Sequence, residues 1–300
     1  MDGIIVINKP KGYTSHDVVA KVKKILNVKK VGHTGTLDPN ATGVLPLLLN
    51  NGTKLSKYLI EHDKEYIATI KLGIKTDTAD SEGNVIEEKA VGDLLNVQEV
   101  LNTFLGKQTQ MPPMYSAIKV KGKKLYEYAR SGQTIRIEPR NIEIYSIELL
   151  NIGKETNEVT YKVQCSKGTY IRSLCEDIAQ KLGTVGYMKE LNRTKVGKFK
   201  IEDAITIEEL ESQKDNSDFV NSKIITLEKL FENYEKIELT ERELAKFLNG
   251  VKIGVKNSDG IYNVYSSNKY IGLAVVKEKT AKRDLIISDA NMDGDFDTKF

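Results

Sequence analysis

The sequence has few of the residues that build disulfide frameworks or zinc sites. Its 300 residues include two cysteines, Cys165 and Cys175, which form no CxxC pair, and three histidines that lie far apart. Neither a disulfide scaffold nor a zinc cluster is therefore indicated. This cysteine usage suits a reducing compartment, and we expect the protein to be cytoplasmic.

Long apolar runs are also missing. The apolar run at residues 44–49 is interrupted by Pro46, whereas a helix that crosses a bilayer needs about 20 apolar residues. The N-terminus opens with Met1, Asp2 and Gly3 and lacks the basic segment of a secretory signal. We expect a protein with no membrane span and no export signal. The hydrophobic content of 40% is nevertheless enough for a core, and the length suits two domains.

The charge is divided unevenly along the chain. Residues 1–200 contain 31 lysines and arginines against 22 acidic residues, whereas residues 201–300 contain 14 against 20. A basic excess in one part of a chain indicates a polyanionic partner such as nucleic acid, although a solvated lysine-rich surface gives the same count. One stretch combines basic and aromatic residues in a pattern suited to an RNA backbone. It contains Lys119, Lys121, Lys123, Lys124, Tyr126 and Tyr128.

Apolar periodicity predicts an α+β fold. Thr14 is expected to cap a first helix together with Asp17, because Val18 and Val22 then lie on one buried face. Strands outnumber the crossovers that a parallel sheet needs, so a mixed, largely antiparallel central sheet with flanking helices is predicted. Strands are expected at residues 3–8, 44–49, 66–72, 142–150 and 159–165, and further helices at 53–60, 97–105, 125–131 and 170–182.

A change of pattern divides the chain. Residues 212–222 are polar and nearly free of apolar periodicity, and we interpret them as the approach to a domain boundary. Short β-like runs follow, at residues 251–255, 261–265, 270–276 and 285–287. The predicted division is a larger domain at residues 1–235 and a small β-rich domain at residues 236–300.

The loop at residues 32–43 is the most informative stretch. It contains three glycines and a proline, and it presents the carboxylate of Asp38 beside two threonines and His33. The chain has no P-loop, GxGxxG or GxSxG motif. His33 and Asp38 lack a third ligand for a metal. The remaining alternatives are a functional carboxylate and an aspartate that only caps the turn before Pro39.

Residues 165–172 end a strand and open a helix. Gly168 allows a tight turn, Thr169 is predicted to cap the helix, and Arg172 then lies in its first turn. The helix dipole disfavours a cation there, which points to a specific anionic partner for Arg172. The alternative is a surface arginine paired with Glu176, four residues further on.

These segments resemble the TruB family of pseudouridine synthases, which act on the T-arm uridine at tRNA position 55. The resemblance covers roughly residues 1–200, and the string GHTGTLDPNATGVLP is its most specific part. It implies the pseudouridine synthase fold with a PUA-like C-terminal domain. Residues 289–300 are acidic, where a basic RNA-facing edge would be expected. The segments that carry the resemblance are residues 3–12 with Thr14 and Ser15, 32–46, 64–66, 73–80 and 165–172.

The resemblance also implies roles for individual residues. Asp38 corresponds to the catalytic aspartate, and the other matching residues bind substrate or position the aspartate. Arg172 should pair with Asp38, Tyr66 stack on the target base, Tyr170 line the pocket, Leu191 pack beneath the uracil and His33 fill the place that a flipped nucleotide leaves. Lys9 and Lys54 match basic positions that contact phosphate or the Asp38 loop. Taken without the resemblance, Tyr66 is by default a half-buried core residue. The alternatives are a hydrogen-bonded loop histidine for His33 and a solvated surface residue for each lysine.

The implied activity is isomerisation of uridine to pseudouridine with a single aspartate and without metal or cofactor. The implied partner is the T-arm stem-loop of tRNA, with no obligatory protein partner and a monomeric enzyme. Two alternatives remain. One is a guide-RNA-dependent relative, which the short chain without basic extensions disfavours. The other is a noncatalytic RNA-binding protein on the same scaffold, which the joint presence of Asp38, Tyr66 and Arg172 disfavours.

Overall fold

The computed structural model describes residues 1–287 apart from 60, 61, 117 and 134. The strands are β1 (Gly3–Lys9), β2 (Val31–His33), β3 (Thr42–Leu49), β4 (Lys64–Leu72), β5 (Ile74–Thr76), β6 (Val85–Glu88), β7 (Gly106–Gln110), β8 (Lys119–Val120), β9 (Lys123–Lys124), β10 (Arg140–Gly153), β11 (Glu158–Cys165), β12 (Gly186–Val196), β13 (Phe199–Lys200), β14 (Ile224–Ile225), β15 (Lys236–Glu238), β16 (Ile253–Gly254), β17 (Gly260–Ser266), β18 (Lys269–Lys277) and β19 (Thr280–Ile286). The α-helices are α1 (Ser15–Ile25), α2 (Ser56–Leu59), α3 (Val97–Asn102), α4 (Leu125–Arg130), α5 (Ile171–Lys181), α6 (Ile207–Ser212), α7 (Ser217–Lys223), α8 (Leu227–Leu230) and α9 (Glu241–Leu248).

Ten strands of the described chain form one large sheet. Its order is β14, β1, β3, β12, β4, β11, β10 and β7, with β13 paired to β12 and β2 paired to β3. The pairing of β3 with β12 is parallel, and the other described pairs of this sheet are antiparallel. The predicted α+β fold with a mixed, largely antiparallel sheet is therefore confirmed.

Helix α1 begins where the sequence predicts. The Thr14 hydroxyl accepts a hydrogen bond from the Asp17 N–H at 3.1 Å, and the Asp17 carboxylate accepts one from the Thr14 N–H at 2.9 Å. This reciprocal pair satisfies donors that a helix start leaves without partners. Val18 and Val22 lie one turn apart and are fully buried against the sheet. The first turn of α1 is thus fixed at both its cap and its buried face.

Strand β12 lies near the middle of the sheet, although no apolar alternation predicts it. Its pairing with β4 is irregular at Lys189 and at Thr194, where β12 carries one extra residue each time. Each extra residue shifts the alternation of side chains between the two faces by one position. Met188, Leu191 and Val196 are consequently buried without a spacing of two. The two bulges explain why the sequence pattern does not reveal this strand.

The predicted helix at residues 53–60 has a different form. The chain follows a 3₁₀ helix at Asn50–Leu55 and then the short α2, and residue 60 lies outside the described part of the chain. Residues 212–222, interpreted above as a polar boundary segment, contain all but the last residue of α7. There the Asn216 side chain accepts from the Phe219 N–H, and Val220 is buried under the large sheet.

A second sheet follows in the C-terminal part, as the β-like runs predict. Its five described strands are ordered β15, β17, β18, β19 and β16. In the predicted run at residues 251–255 the strand is shorter, Ile253–Gly254. Leu273 and Leu285 of this sheet pack in one apolar cluster with Ile4 and Val6 of the first sheet. The division into domains at residues 1–235 and 236–300 stays a prediction, and the acidic residues 289–300 lie outside the described residues.

No helix in the described part of the chain combines the length and the apolar character that a bilayer crossing needs.

Candidate active site

Asp38 and Arg172 form an ion pair between two distant parts of the chain. Asp38 lies in the loop between β2 and β3 (residues 34–41, the Asp38 loop), and Arg172 lies in the first turn of α5. The Arg172 Nε is 3.1 Å from Asp38 Oδ2, and its Nη2 donates to Asp38 Oδ1 at 3.4 Å. Such a two-point contact fixes the plane of a carboxylate as well as its position. The anionic partner that the helix dipole argument requires for Arg172 is present.

Arg172 is buried, with 7% of its surface exposed. The alternative of a surface pair with Glu176 is wrong, because Glu176 instead lies 3.6 Å from the Nζ of Lys75. The predicted cap is also wrong. Tyr170 occupies the N-cap position of α5 without a side-chain cap, and the Thr169 hydroxyl donates to the Ser166 carbonyl at 2.9 Å.

Asp80 supplies a second carboxylate that pairs with Arg172, and the sequence alone predicts no role for it. Its Oδ2 lies 3.6 Å from Arg172 Nη1. The turn that carries it is held by strand β12, because the Met188 N–H donates to the Ala79 carbonyl at 3.0 Å next to the bulge at Lys189. In the sequence, Asp80 is marked only by its position at the end of residues 73–80, one of the segments that resemble the TruB family. This position alone does not indicate a chemical role for the carboxylate.

Side chains from three elements hold the Asp38 loop on both sides of the aspartate. The Leu37 N–H donates to Ser15 Oγ at 2.9 Å. Lys9 Nζ donates to the Pro39 carbonyl at 2.9 Å. Arg193 Nη2 donates to the Gly35 carbonyl at 3.1 Å. The backbone around Asp38 is therefore fixed by buried donors and acceptors, which is the kind of support that keeps a reacting group in one geometry.

Lys9 is fully buried. Burial lowers its pKa to about 8, and the charge of Asp38 acts in the opposite direction. Of the two contacts implied for Lys9, phosphate or the Asp38 loop, the structure shows the loop. Lys54 is exposed, and its Nζ donates to the Ile286 carbonyl of the second sheet at 2.9 Å.

Arg193 lies beneath the site and is 1% exposed. Besides Gly35, its guanidinium donates to the carbonyls of Val44 at 2.8 Å and Thr36 at 3.5 Å. Arg193 also faces Tyr66 in the register of β12 and β4, and its charge acts on the Tyr66 phenol. Arg193 is not predicted from the sequence, because a single arginine two residues after Leu191 cannot be distinguished there from an ordinary surface arginine.

Tyr66 and Leu191 lie on neighbouring strands with side chains in the same apolar core as Leu37. Tyr66 is 7% exposed. Burial raises its pKa to about 12, and the positive charge of Arg193 opposes this rise. Tyr66 is therefore a neutral phenol at neutral pH.

A narrow cleft lies beside Asp38. Asp80, Met188 and Leu191 line it, and the volume open to the centre of a water molecule is about 10 Å³. This is room for one water and not for a nucleobase. At the rim, Asn40 Nδ2 donates to Glu82 Oε1 at 2.9 Å and connects the two loops. In this conformation the cleft is closed to a base.

The carboxyl of Asp38 faces this cleft with 37% of its side chain exposed. Its pKa is raised above the ordinary value, chiefly because the surrounding protein removes water from the carboxyl. The Arg172 guanidinium lowers the pKa and the Asp80 carboxylate raises it. The guanidinium fork of Arg172 favours the ionised form of Asp38 and so opposes the effect of burial.

His33 and Tyr170 lie at the edges of the site. His33 is half-buried, its Nδ1 accepts from the Gly35 N–H at 3.3 Å, and its ring contacts the ring of His16. Tyr170 is half-buried, and both its backbone N–H and its carbonyl bond the side chain of Gln110. His33 and Tyr170 thus flank the Asp38 loop and the start of α5 respectively.

The basic and aromatic stretch forms the hairpin of β8 and β9 followed by α4. Lys119, Lys121 and Lys123 are exposed. The Tyr128 hydroxyl donates to the Val120 carbonyl at 3.1 Å, which ties α4 to the hairpin. Within the residues that the structure describes, no group of three His, Cys, Asp or Glu side chains is arranged to hold a metal ion.

Most of the chain matches two known domains of a single protein family. The family described as TruB family pseudouridylate synthase (N terminal domain) matches residues 23–171, and the tRNA pseudouridylate synthase B C-terminal domain matches residues 172–255. The chain belongs to the TruB family. As a member of the TruB family it is an isomerase that converts uridine to pseudouridine, which confirms the resemblance seen in the sequence.

Individual TruB relatives agree with this assignment. The tRNA pseudouridine synthase B of Clostridium tetani is 46% identical over 281 residues, which cover 91% of this chain and 95% of that protein. The tRNA pseudouridine synthase B of Aquifex aeolicus is 41% identical over 281 residues, with 92% and 96% covered.

Solved structures share the fold. A chain in the structure of an H/ACA RNP bound to a substrate RNA containing 2′-deoxyuridine has a TM-score of 0.68 at 26% identity, covering 95% of this chain and 84% of that chain. A chain in the crystal structure of a Cbf5-Nop10-Gar1 complex has a TM-score of 0.67 at 28% identity, covering 95% and 83%. The predicted pseudouridine synthase fold is confirmed.

Proposed function

We propose that this enzyme isomerises the uridine at position 55 in the T arm of tRNA, with Asp38 as its single catalytic residue. The observation that carries the proposal is the two-point ion pair of Asp38 with buried Arg172 at the edge of a cleft lined by Leu191. The relatives from Clostridium tetani and Aquifex aeolicus bear the name of a tRNA pseudouridine synthase, which supports tRNA as the substrate.

The chemistry asks for little beyond a positioned carboxylate. The N1–C1′ bond breaks, the uracil turns, and a C5–C1′ bond forms while the C5 proton leaves and N1 gains a proton. No water is consumed and no electrons are transferred, so we propose a reaction without cofactor or metal. Asp38 acts either as a nucleophile or by stabilising charge and removing a proton, and both routes use the ionised form.

The roles that we propose for the other residues are supported by their positions around Asp38. We assign Arg172 to hold the carboxylate ionised and aimed, Tyr66 to stack on the base, Leu191 to pack beneath the uracil and Tyr170 to line the pocket. Tyr66 is a poor general base because its pKa of about 12 lies far from neutral pH. We assign Lys9 to the loop rather than to phosphate, because it is fully buried, and Lys54 to the contact with Ile286.

We propose that the target nucleotide is flipped out of its stack, because a stacked uridine does not reach Asp38; extrusion of a nucleotide costs a few kcal/mol. The cleft holds about one water, so we propose that the two loops joined by Asn40 and Glu82 separate to admit the base. We assign His33 to the place that the nucleotide leaves and the exposed lysines of the β8–β9 hairpin to the RNA backbone.

We further propose a monomer that acts in the cytoplasm without a protein partner, with residues 1–235 carrying the chemistry and residues 236–300 adding distant contacts to folded tRNA. Release of tritium from tRNA transcribed with 5-tritiated uridine tests the function, because joining through C5 expels that atom. A noncatalytic RNA-binding protein would bind the transcript and release no tritium. Release from a transcript whose only change is loss of the uridine at position 55 would contradict the assigned site.

A further inference from the structure

His16 touches the loop histidine His33 through its ring. The ring centroids are 5.5 Å apart and the planes meet at 85°, an edge-to-face contact. His33 is also held on its other side, because its Nδ1 accepts from the Gly35 N–H at 3.3 Å. The hydrogen bond and the ring contact together restrict both the tilt and the rotation of the His33 ring.

The helix that carries His16 is itself fixed to the Asp38 loop. Ser15, the preceding residue, accepts from the Leu37 N–H at 2.9 Å and is 1% exposed. The Thr14 and Asp17 capping pair closes the same turn. Two consecutive residues of one turn therefore contact this part of the chain, Ser15 at Leu37 within the Asp38 loop and His16 at His33, the last residue of β2.

His16 is exposed and forms none of the described salt bridges or side-chain hydrogen bonds. Its ring contact with His33 is what connects it to the candidate site. An exposed residue with a ring contact on a residue of the site is a natural candidate for a role that folding does not require.

We propose that His16 is a positioning residue for base flipping: it holds the ring of His33 at the angle from which that ring enters the RNA stack. The inference rests on the proposed function, in which His33 fills the place of the flipped nucleotide. A ring that is already oriented loses less side-chain entropy on entering the stack than a free ring does. The contact needs an aromatic edge rather than a charge, so phenylalanine should replace histidine here.

Base flipping is measured directly with a T-arm stem-loop that carries 2-aminopurine next to the target uridine, whose fluorescence rises when its neighbour leaves the stack. The variants are His16→Ala, His16→Phe and, as a control, His62→Ala, a half-buried histidine outside the site. We expect His16→Ala to lower the single-turnover flipping rate about two- to tenfold, the size of an aromatic pair contact. His16→Phe and His62→Ala should stay within about twofold of the wild type, and stem-loop affinity should change less than the rate.

A double-mutant cycle with His33→Ala separates positioning from a general effect. If His16 acts through His33, the double variant flips no more slowly than His33→Ala alone. A wild-type rate for His16→Ala, or losses that multiply in the double variant, would overturn the role of His16 and leave the proposed function intact. A wild-type flipping rate for His33→Ala would instead reject the role proposed for His33, and that of His16 with it. If the wild-type enzyme releases no tritium, the proposed function itself is rejected.

Discussion

Asp38 and Asp80 bind the same guanidinium from different loops. Asp38 Oδ2 lies 3.1 Å from Arg172 Nε, and Asp80 Oδ2 lies 3.6 Å from Arg172 Nη1. The arginine is buried, so both carboxylates share a cation that water screens weakly. Asp80 therefore gives Arg172 a second anionic contact, while Asp38 presents its carboxyl to the cleft.

Removal of the charge of Asp38 should abolish the reaction without abolishing binding. Asp38→Asn is nearly isosteric, and the hydrogen bonds that hold the backbone of Leu37 and Pro39 do not involve the changed atoms. We expect no measurable tritium release and a tRNA affinity within a few fold of wild type. Residual turnover within tenfold of wild type would reject Asp38 as the catalytic group.

Replacement of Arg172 by lysine keeps the charge and removes the fork. A point ammonium does not bond both oxygens of Asp38 and also reach Asp80, so we expect a fall in turnover of at least about tenfold with nearly unchanged tRNA affinity. Arg136→Lys is the matched control, because Arg136 forms an exposed pair with Glu138 at 3.3 Å. Equal rates for both variants would mean that the geometry at Asp38 does not depend on the fork.

The pH dependence of the rate should report the charge of Asp80. The reaction needs ionised Asp38, whose pKa is raised, so the rate should fall as pH falls through a value above the ordinary aspartate range. Asp80→Asn removes a like charge that raises the pKa of Asp38, and the acidic limb of the profile should therefore move to lower pH.

The control for this shift is Asp77→Asn. Asp77 lies in the same turn and accepts from the Asn84 N–H at 2.8 Å, and it is not among the charges that act on Asp38. An acidic limb that stays in place for Asp80→Asn, or that moves equally for Asp77→Asn, would contradict the electrostatic role of Asp80. The measurement is single-turnover tritium release from pH 4 to pH 8.

The parts of the site that sequence reasoning finds are those with local signals. The Asp38 loop is visible through its glycines and its carboxylate, and Arg172 is visible because a cation at a helix start needs an anion. The site residues that cannot be predicted from the sequence depend on packing between distant parts of the chain. Arg193 becomes significant only when Val44 and Gly35 turn their carbonyls toward it, and these lie about 150 residues away in the chain.

The same reasoning applies to the fold. The α+β class and strands with regular alternation, such as β4 and β11, follow from local pattern. Strand β12 does not, because its bulges break the alternation. The Met188 N–H, next to one of these bulges, bonds the turn that carries Asp80. The strand that local pattern does not reveal is thus one that builds the site.

Arg193 should matter for stability as well as for rate. Arg193→Met keeps much of the buried volume and leaves the carbonyls of Gly35 and Val44 without this donor, each at a cost of about 1–3 kcal/mol. We expect a decrease of at least about 2 kcal/mol in the free energy of unfolding, measured by urea titration, with Arg136→Met as the exposed control. A loss below about 0.5 kcal/mol would mean that water replaces the guanidinium without cost.

The exposed lysines of the β8–β9 hairpin should appear in the salt dependence of RNA binding. Each lysine that neutralises a phosphate contributes about 0.7 to 0.9 to the slope of log affinity against log salt. Lys119→Ala and Lys123→Ala, both at exposed positions, should each reduce the slope by about that amount on a T-arm stem-loop. Lys214→Ala, an exposed lysine between α6 and α7, is the control and should leave the slope unchanged. If the two hairpin variants keep the wild-type slope, the hairpin does not track the RNA backbone, whatever their effect on turnover.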